Sequence, residues 1–487
     1  MDIVLIKPND QKAVYGDTIK YVACEPPFWM AITGAFCRDR GAEVSIIDAE
    51  AEDLSYEEVA ERVFDLKPNC IGIFVTGTNL SASTQKMQGA RKTCDAIKSL
   101  WPSSKIFLWG LHPSALPERT LDECNTDYVV KGEGFDTILQ LSKNNYTDVR
   151  ELKDLYLRDS DGRYFYTGNG GLSEVNNLPM PAWEMLPMKS YVPHNWHIMG
   201  EDDPATAKGR YGVIASSIGC PFNCSFCAIS AQFGERVLRV WKVERVIEEI
   251  ERLVKEYHVK YIKILDECFV LNKSYVEEFC KKLIEKKLDV NIWGYARIDT
   301  VTPELLAMLR KAGVKWLAFG IESGDDATLS AVDKGQFTSA QTRKVMHWCK
   351  DADINVVANF MFGLPEDTKE TMQKTLDLAR EINPEWINFA VTMPYPGSKD
   401  YFRLLKEGQI KNDEWIQYAQ YSYECVPMGS KYLSPKEVLE FRDWAFNDFF
   451  NENDAYFDLI RNKFGEQYAD SIKAMTQNKL RRKLLEN

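Results

Sequence analysis

The chain has 487 residues, of which 45% are hydrophobic and 27% charged, a composition typical of a folded globular protein with several domains. It carries 60 Lys and Arg against 72 Asp and Glu, and the net charge of -12 argues against nucleic acid as a partner. No apolar run is long enough to span a membrane, and the first residues lack the features of a signal peptide. We therefore expect a cytoplasmic protein.

The first 150 residues alternate short apolar runs with helical patterns. The runs cover residues 3–6, 44–47, 71–75, 106–109 and 128–130, and the main helical stretches cover 27–40, 56–66 and 82–100. This alternation predicts a doubly wound, Rossmann-like α/β domain over residues 1–150. Such sheets bind ligands beyond the carboxyl ends of their strands. Small and polar residues at 76–79, 110–114 and 131–134 follow three of the runs and form a candidate cofactor rim.

Residues 151–205 are rich in proline, aromatic and turn-forming residues, which predicts a linker with a small hairpin. A second alternation of strands and helices covers residues 206–400, with apolar runs at 213–215, 261–265, 290–293, 316–321, 354–362 and 386–393. Six strands separated by helices predict a partial (β/α)6 barrel of the TIM type. The pattern over residues 401–487 predicts a helical C-terminal region.

Three of the twelve cysteines stand in a C-x3-C-x2-C spacing, and we call Cys220, Cys224 and Cys227 the cysteine triplet. The other nine are scattered, several of them in apolar surroundings typical of small core residues. Three thiolates without a fourth nearby suit an iron-sulfur cluster that keeps one iron open, whereas structural zinc takes four ligands. A zinc loop that borrows Cys268, or three unrelated buried cysteines, are the alternatives.

The cysteine triplet, with Phe226 before its last member, resembles the signature of the radical S-adenosylmethionine (SAM) family. The resemblance implies a 4Fe-4S cluster on the triplet and SAM at the open iron. It also implies SAM contacts at the ends of later strands, from Asp266, Glu267, Arg297, Glu322, Ser323, Gly363, Leu364 and Pro365. The segment ILDECF departs from the commoner Gly-Gly-Glu form of the family. A helix cap, a surface ion pair or a turn glycine are the alternative roles for these residues.

The N-terminal half resembles the cobalamin-binding domain of one radical SAM subfamily, through Pro26-Pro27, Asp48, GLHPSALPE at 110–118 and VVKGEGFDTILQL at 129–141. The resemblance implies cobalamin contacts from Thr76, Thr78, Asn79, Gly110, His112, Pro113, Gly132 and Glu133. The chain has no D-x-H-x-x-G motif, so we expect base-off cobalamin without a histidine ligand. The alternative is a flavodoxin-like or nucleotide-binding domain, although no G-x-G-x-x-G follows the first strand.

These resemblances imply an enzyme that cleaves SAM reductively to a 5′-deoxyadenosyl radical and methylates an unactivated carbon of a small-molecule substrate. A flavodoxin or ferredoxin is the implied electron donor. The alternatives are a cyclase or ring-rearranging enzyme without methyl transfer, and a sensor that binds an iron-sulfur cluster and cobalamin without turnover. His194, His197 and Tyr395 are weak candidates for substrate contact, and the sequence favours a core or surface role for each.

Overall fold

The computed structural model describes residues 1–143, 149–201, 203–234, 236–410, 414–451 and 453–486. Within these residues the first sheet has seven strands in the order β2-β1-β3-β4-β5-β6-β7. They are β1 (Ile3–Lys7), β2 (Val44–Asp48), β3 (Cys70–Val75), β4 (Ile106–Gly110), β5 (Tyr128–Val130), β6 (Leu155–Arg158) and β7 (Tyr164–Tyr166). Strands β1 to β5 pair in parallel. Their order is that of flavodoxin-like doubly wound sheets, which bind ligands where the order reverses, between β1 and β3.

Helices connect the parallel strands of this sheet, as the alternating sequence pattern predicts. They are α1 (Gln11–Tyr15), α2 (Phe28–Arg38), α3 (Tyr56–Leu66), α4 (Met87–Leu100), α5 (Leu111–Ala115), α6 (Pro117–Glu123) and α7 (Phe135–Lys143). A capping box starts α3, where the Ser55 hydroxyl accepts the Glu58 N–H at 3.2 Å and the Glu58 carboxylate accepts the Ser55 N–H at 2.8 Å. The predicted α/β class of this half is confirmed.

The second sheet is wholly parallel and, in the described part of the chain, has the order β15-β14-β13-β12-β11-β8. Its strands are β8 (Tyr211–Ile214), β11 (Tyr261–Ile264), β12 (Asn291–Ala296), β13 (Val314–Glu322), β14 (Asn355–Phe362) and β15 (Trp386–Val391). The short strands β9 (Ser217–Ile218) and β10 (Arg239–Val240) form a separate antiparallel pair. Each parallel strand lies beside its predecessor in this sheet, so the sheet winds in one direction as in TIM-type folds.

The remaining helices pack around the second sheet and form the C-terminal region. They are α8 (Ser230–Phe233), α9 (Val243–Tyr257), α10 (Lys273–Lys286), α11 (Pro303–Lys311), α12 (Asp326–Ala331), α13 (Ser339–Asp351), α14 (Lys369–Ile382), α15 (Lys399–Lys406), α16 (Pro435–Phe450), α17 (Asp454–Phe464), α18 (Glu466–Thr476) and α19 (Lys483–Glu486). Side-chain oxygens cap several of them, for example Thr302 on α11 and Ser434 on α16. Among the described helices none has both the length and the apolar character needed to cross a bilayer.

The segment between the two sheets is anchored to both of them. Its hairpin, β6 and β7, extends the first sheet in antiparallel fashion from β5. Further along, Trp196 packs on Trp293 and Trp316, with ring centroids 5.2 and 5.1 Å apart. His197 exchanges hydrogen bonds with Asn291 at the start of β12, at 2.9 and 3.1 Å. Trp196 and His197 therefore belong to the core of the second unit.

Candidate active site

The cysteine loop, residues 219–229, connects β9 to α8 and carries the cysteine triplet. Gly219 opens it with φ +88°, and a Cβ there would lie 2.3 Å from the carbonyl oxygen of Val237, so only glycine fits. All members of the triplet are half-buried, whereas eight of the other nine cysteines are buried. Burial raises the pKa of the Cys220 thiol to about 12 and also raises the pKa of Cys227. Without a metal these two thiols are protonated, and binding iron would displace the protons.

Contacts with Arg297 after β12 and with Asp400 of α15 hold the cysteine loop in place. The Arg297 guanidinium, after β12, lies 3.7 Å from the centroid of the Phe222 ring in the loop. Arg297 also donates from Nε to Asp299 at 3.0 Å. On the other side, the Ser225 hydroxyl donates to Asp400 at 2.8 Å. Arg297 thus contacts the loop through the face of its guanidinium and is partly engaged by Asp299, in a largely buried ion pair and not the surface ion pair that the sequence left open.

The two acids after β11 turn back to the strand that leads into the cysteine loop. Asp266 is buried and accepts the Ser216 N–H at 2.7 Å and the hydroxyls of Ser216 and Ser217 at 2.5 and 2.6 Å. Glu267 accepts the Gly219 N–H at 3.1 Å. Burial raises the pKa of Glu267 to about 8. Asp266 therefore orders the approach to the loop, while Glu267 lies at its first residue.

The predicted SAM residues on later strands are held by partners of their own. Glu322, at the end of β13, forms a buried ion pair with Lys334, and Ser323 lies 3.2 Å from the Thr375 hydroxyl. The turn at residues 363–365 is tied to Asp367, whose carboxylate accepts the N–H groups of Gly363 and Leu364 at 3.0 and 2.9 Å. No hydrogen bond or ion pair of the described residues joins that turn to the cysteine loop.

The loop after β3 enters the second unit. Residues 76–79 lead into a 3-10 segment, Leu80–Lys86, and Asn79 caps it by accepting the Ser81 N–H at 3.0 Å. The Thr78 carbonyl oxygen accepts from Lys263 Nζ of β11 at 2.9 Å. Ser81 Oγ lies 3.6 Å from Cys227 Sγ and accepts the Ala228 N–H at 3.2 Å. The 3-10 segment that follows the loop predicted to face cobalamin is therefore in direct contact with the cysteine triplet.

The loop after β4 is enclosed. Gly110 has φ +122°, and a Cβ there would lie 2.2 Å from the Val75 carbonyl oxygen. Next to it, in α5 with Pro113, His112 is buried, with Nδ1 2.9 Å from the Thr84 hydroxyl and its ring 4.5 Å from that of Trp415. Burial lowers the pKa of His112 to about 3, so the imidazole is neutral. Its Nε2 has no hydrogen-bond partner within the described ranges.

The loop after β5 also meets the second unit. Gly132 has φ +76°, and a Cβ there would lie 3.5 Å from the carbonyl oxygen of Gln232 in α8. Glu133 is buried in an ion pair with Arg239 of β10 and accepts the Ser173 N–H at 2.9 Å. The loops after β3 and β5 therefore lie against elements of the second unit near the cysteine loop, and the loop after β4 lies against Trp415 of the C-terminal region.

The donor set of the cysteine loop fits the cluster better than it fits zinc. Cys220 and Cys227 line a small cavity together with Phe222 and Arg236. Over the described part of the chain, no three His, Cys, Asp or Glu side chains surround a common point for a single metal ion. A cluster differs from zinc because each thiolate binds its own iron. At the rim, the Nε2 atom of the buried His112 has no hydrogen-bond partner among the described residues, which suits contact with a large polar ligand.

Several residues of this site were not predicted from the sequence, because their partners lie far away along the chain. Lys263 is buried and donates to both Glu25 oxygens at 2.9 and 3.1 Å. Tyr211 donates to the same carboxylate at 3.0 Å. A lysine inside the apolar run YIKIL is the one local signal that could have identified this pair, because a buried lysine needs a partner.

The weak substrate candidates lie in packed surroundings. His194 stacks on Trp196 at 5.4 Å, with Nε2 3.8 Å from the Glu25 carboxylate. Tyr395 is buried, and its hydroxyl accepts from Gln420 at 3.5 Å. Together with His197 in the core, these residues have the packing roles that the sequence favoured for them.

Comparison with protein families divides the chain in the same way as the two sheets do. The B12 binding domain matches residues 16–142, and the Radical SAM superfamily matches residues 214–379. These matches place a cobalamin-binding domain on the first sheet and a radical SAM domain on the second. The cofactors of the two domains are cobalamin, a 4Fe-4S cluster and SAM.

Curated relatives and solved structures share both halves. An uncharacterized methyltransferase of Pyrococcus horikoshii is 29% identical over 432 residues, covering 86% of each chain. An anaerobic magnesium-protoporphyrin IX monomethyl ester cyclase of Cereibacter sphaeroides is 27% identical over 451 residues, covering 90% of this chain and 69% of the relative. The cobalamin-dependent SAM radical enzyme OxsB, solved with aqua-cobalamin and SAM, has a TM-score of 0.73 at 16% identity, covering 98% of this chain and 71% of OxsB. The likeness to OxsB shows a shared fold.

Proposed function

We propose that this chain, a cobalamin-dependent radical SAM enzyme by its two domains, methylates an unactivated carbon of a small-molecule substrate. The observation that carries the proposal is the contact between the 3-10 segment next to the rim of the first sheet and the cysteine triplet, with Ser81 Oγ 3.6 Å from Cys227 Sγ. The relative named as a methyltransferase supports methyl transfer over cyclisation. The acidic net charge of -12 favours a small molecule over a nucleic acid as substrate.

The residues assigned to each cofactor follow from the sequence and are part of this proposal. Bound at the cysteine triplet and the rim, the cofactors supply an electron for SAM cleavage and a carrier for a methyl group. Asp266, through Ser216 and Ser217, orders the chain that enters the cysteine loop. Glu267 and Arg297 both contact the cysteine loop, and we assign to them the orientation of a polar ligand beside it.

The domain bounds 1–150, 151–205, 206–400 and 401–487 belong to the same proposal. We further propose that cobalamin binds base-off and without a histidine ligand. The enclosed position of His112 between Thr84 and Trp415 supports this. We also propose a cytoplasmic location and a flavodoxin or ferredoxin as electron donor. All twelve cysteines lie in described ranges and are free thiols, which suits a reducing compartment.

Product analysis with labelled SAM tests the proposal. The anaerobic, cluster-loaded and cobalamin-loaded chain is expected to form both 5′-deoxyadenosine and S-adenosylhomocysteine, because methyl transfer consumes one SAM as methyl source and one as radical source. Formation of 5′-deoxyadenosine alone would favour a cyclase or a ring-rearranging enzyme. A bound cluster with no turnover under any reductant would favour a sensor.

Replacing Asp367 by alanine is expected to weaken SAM binding about tenfold, or by about 1.4 kcal/mol. The carboxylate holds the turn at residues 363–365 through two N–H groups and accepts the Thr371 hydroxyl at 2.8 Å, so its loss frees the turn. Titration of SAM into the cluster-loaded protein measures the effect. Glu366→Ala is the matched control, since that neighbouring carboxylate is exposed and makes a 3.8 Å contact with Lys431. Equal dissociation constants for the two variants would contradict the role.

A further inference from the structure

The contact between Ser81 and Cys227 joins the two cofactor domains at single atoms. Ser81 belongs to the 3-10 segment Leu80–Lys86 of the first unit, and its Oγ lies 3.6 Å from Cys227 Sγ of the second. The same oxygen accepts the N–H of Ala228 at 3.2 Å. Ser81 is therefore bound to the cysteine loop at two successive residues.

The direction of this hydrogen bond follows from the chemistry of the ligand. A cysteine that binds iron is a thiolate and carries no hydrogen, so it can only accept. The serine oxygen already accepts the N–H of Ala228, which leaves its own hydrogen to point at the sulfur and polarises the hydroxyl. We propose that Ser81 donates a hydrogen bond to the Cys227 thiolate and so raises the reduction potential of the cluster. This inference rests on the proposed function, because it requires the cluster.

A hydrogen bond to a thiolate ligand changes the reduction potential because the reduced cluster carries one more negative charge than the oxidised cluster. Hydrogen bonds to the sulfurs are among the factors that set iron-sulfur potentials, because they stabilise the extra negative charge of the reduced form. The contact is partly buried, so water screens it weakly. Ser81 acts through the thiolate and is a positioning residue, contributed by the domain that binds cobalamin.

The first unit holds Ser81 in place from several directions. Asn79 accepts the Ser81 N–H at 3.0 Å, and Ser83 donates to the Leu80 carbonyl at 2.6 Å. From β11 of the second unit, Lys263 fixes the same loop through the Thr78 carbonyl at 2.9 Å. The hydroxyl is therefore presented to the sulfur by an ordered backbone, as a tuning contact requires.

Redox titration of the anaerobic full-length protein, followed by electron paramagnetic resonance, tests the inference. Ser81→Ala is expected to shift the cluster potential to more negative values, and Ser81→Thr, which keeps the hydroxyl, is expected to stay near the wild-type value. Ser274→Ala is the control, because this exposed serine at the start of α10 donates to Asn272 at 3.0 Å and lies outside the cysteine loop and the rim. Its potential is expected to equal that of the wild type.

Two results separate this inference from the proposed function. Iron and sulfide are measured first, and a wild-type chain that takes up no cluster would overturn both. A loaded Ser81→Ala variant with the wild-type potential would overturn the role of Ser81 alone. If Ser81→Ala does not retain the cluster, the pair Ser81→Thr and Ser81→Val differs only in the hydroxyl, and equal potentials for this pair would have the same meaning.

Discussion

Replacing Cys220, Cys224 and Cys227 together by alanine is expected to abolish cluster binding and SAM cleavage. The reconstituted wild-type chain should hold about four irons and four sulfides, since three thiolates bind the cluster and leave one iron for SAM. The triple variant should fall to background in iron and sulfide content and form no 5′-deoxyadenosine. Colorimetric iron and sulfide assays, together with product chromatography, measure both effects.

Cys268→Ala is the control for this prediction. Cys268 is buried and lies outside the cysteine triplet, and a zinc loop would need it as a fourth ligand. The variant is expected to keep the full cluster and to cleave SAM at the wild-type rate. Loss of metal in Cys268→Ala, with zinc in place of iron in the wild type, would contradict the cluster assignment and restore the zinc alternative.

Replacing Lys263 by methionine is expected to lower the free energy of unfolding by about 3–5 kcal/mol. The substitution keeps the apolar stem of the side chain but removes its charge. The partly buried Glu25 carboxylate then keeps its hydrogen bond from Tyr211, and no cation of the described side chains lies within 3.5 Å of it. It also releases the Thr78 carbonyl, which joins the loop after β3 to β11. Urea denaturation followed by circular dichroism measures the loss.

Two companion variants isolate the buried pair. Lys255→Met removes the cation of an ion pair whose lysine is 64% exposed, and it should cost less than about 1 kcal/mol. The double variant Glu25→Gln with Lys263→Met should recover part of the loss, because the uncompensated charge is gone. If the urea midpoint of Lys263→Met lies as close to the wild-type midpoint as that of Lys255→Met does, the ion pair between Glu25 and Lys263 is not needed for stability.

The regular part of the fold could be predicted because its signals are local. The apolar runs at 3–6 and 71–75 became β1 and β3, and the helical stretch at 56–66 became α3 with the same bounds. Each is a short apolar run rich in β-branched residues, or an amphipathic helix, between turn residues. The pairing of β6 with β5 depends on which strand edge is open in three dimensions, and the sequence carries no local signal for that.

In the candidate site, too, some residues have a local sequence signal and others do not. The cysteine triplet and the acids after β11 are short motifs at strand ends, so the sequence identifies them. The roles of Ser81 and Lys263 depend on partners 146 and 238 residues away, and no spacing rule links such pairs. The ligand roles of the residues on the rim and at the SAM-side strand ends stay predictions.

The contacts that join the two sheets also limit how the gene could be recombined. A hybrid that takes its N-terminal half from a relative would pair a foreign loop with Cys227 and would leave Lys263 and Arg239 to find new carboxylates. Such a hybrid would need matched exchanges on both sides of the boundary before it could fold. The two cofactor units follow one another along the chain like separate modules, yet selection has to act on them as a single piece.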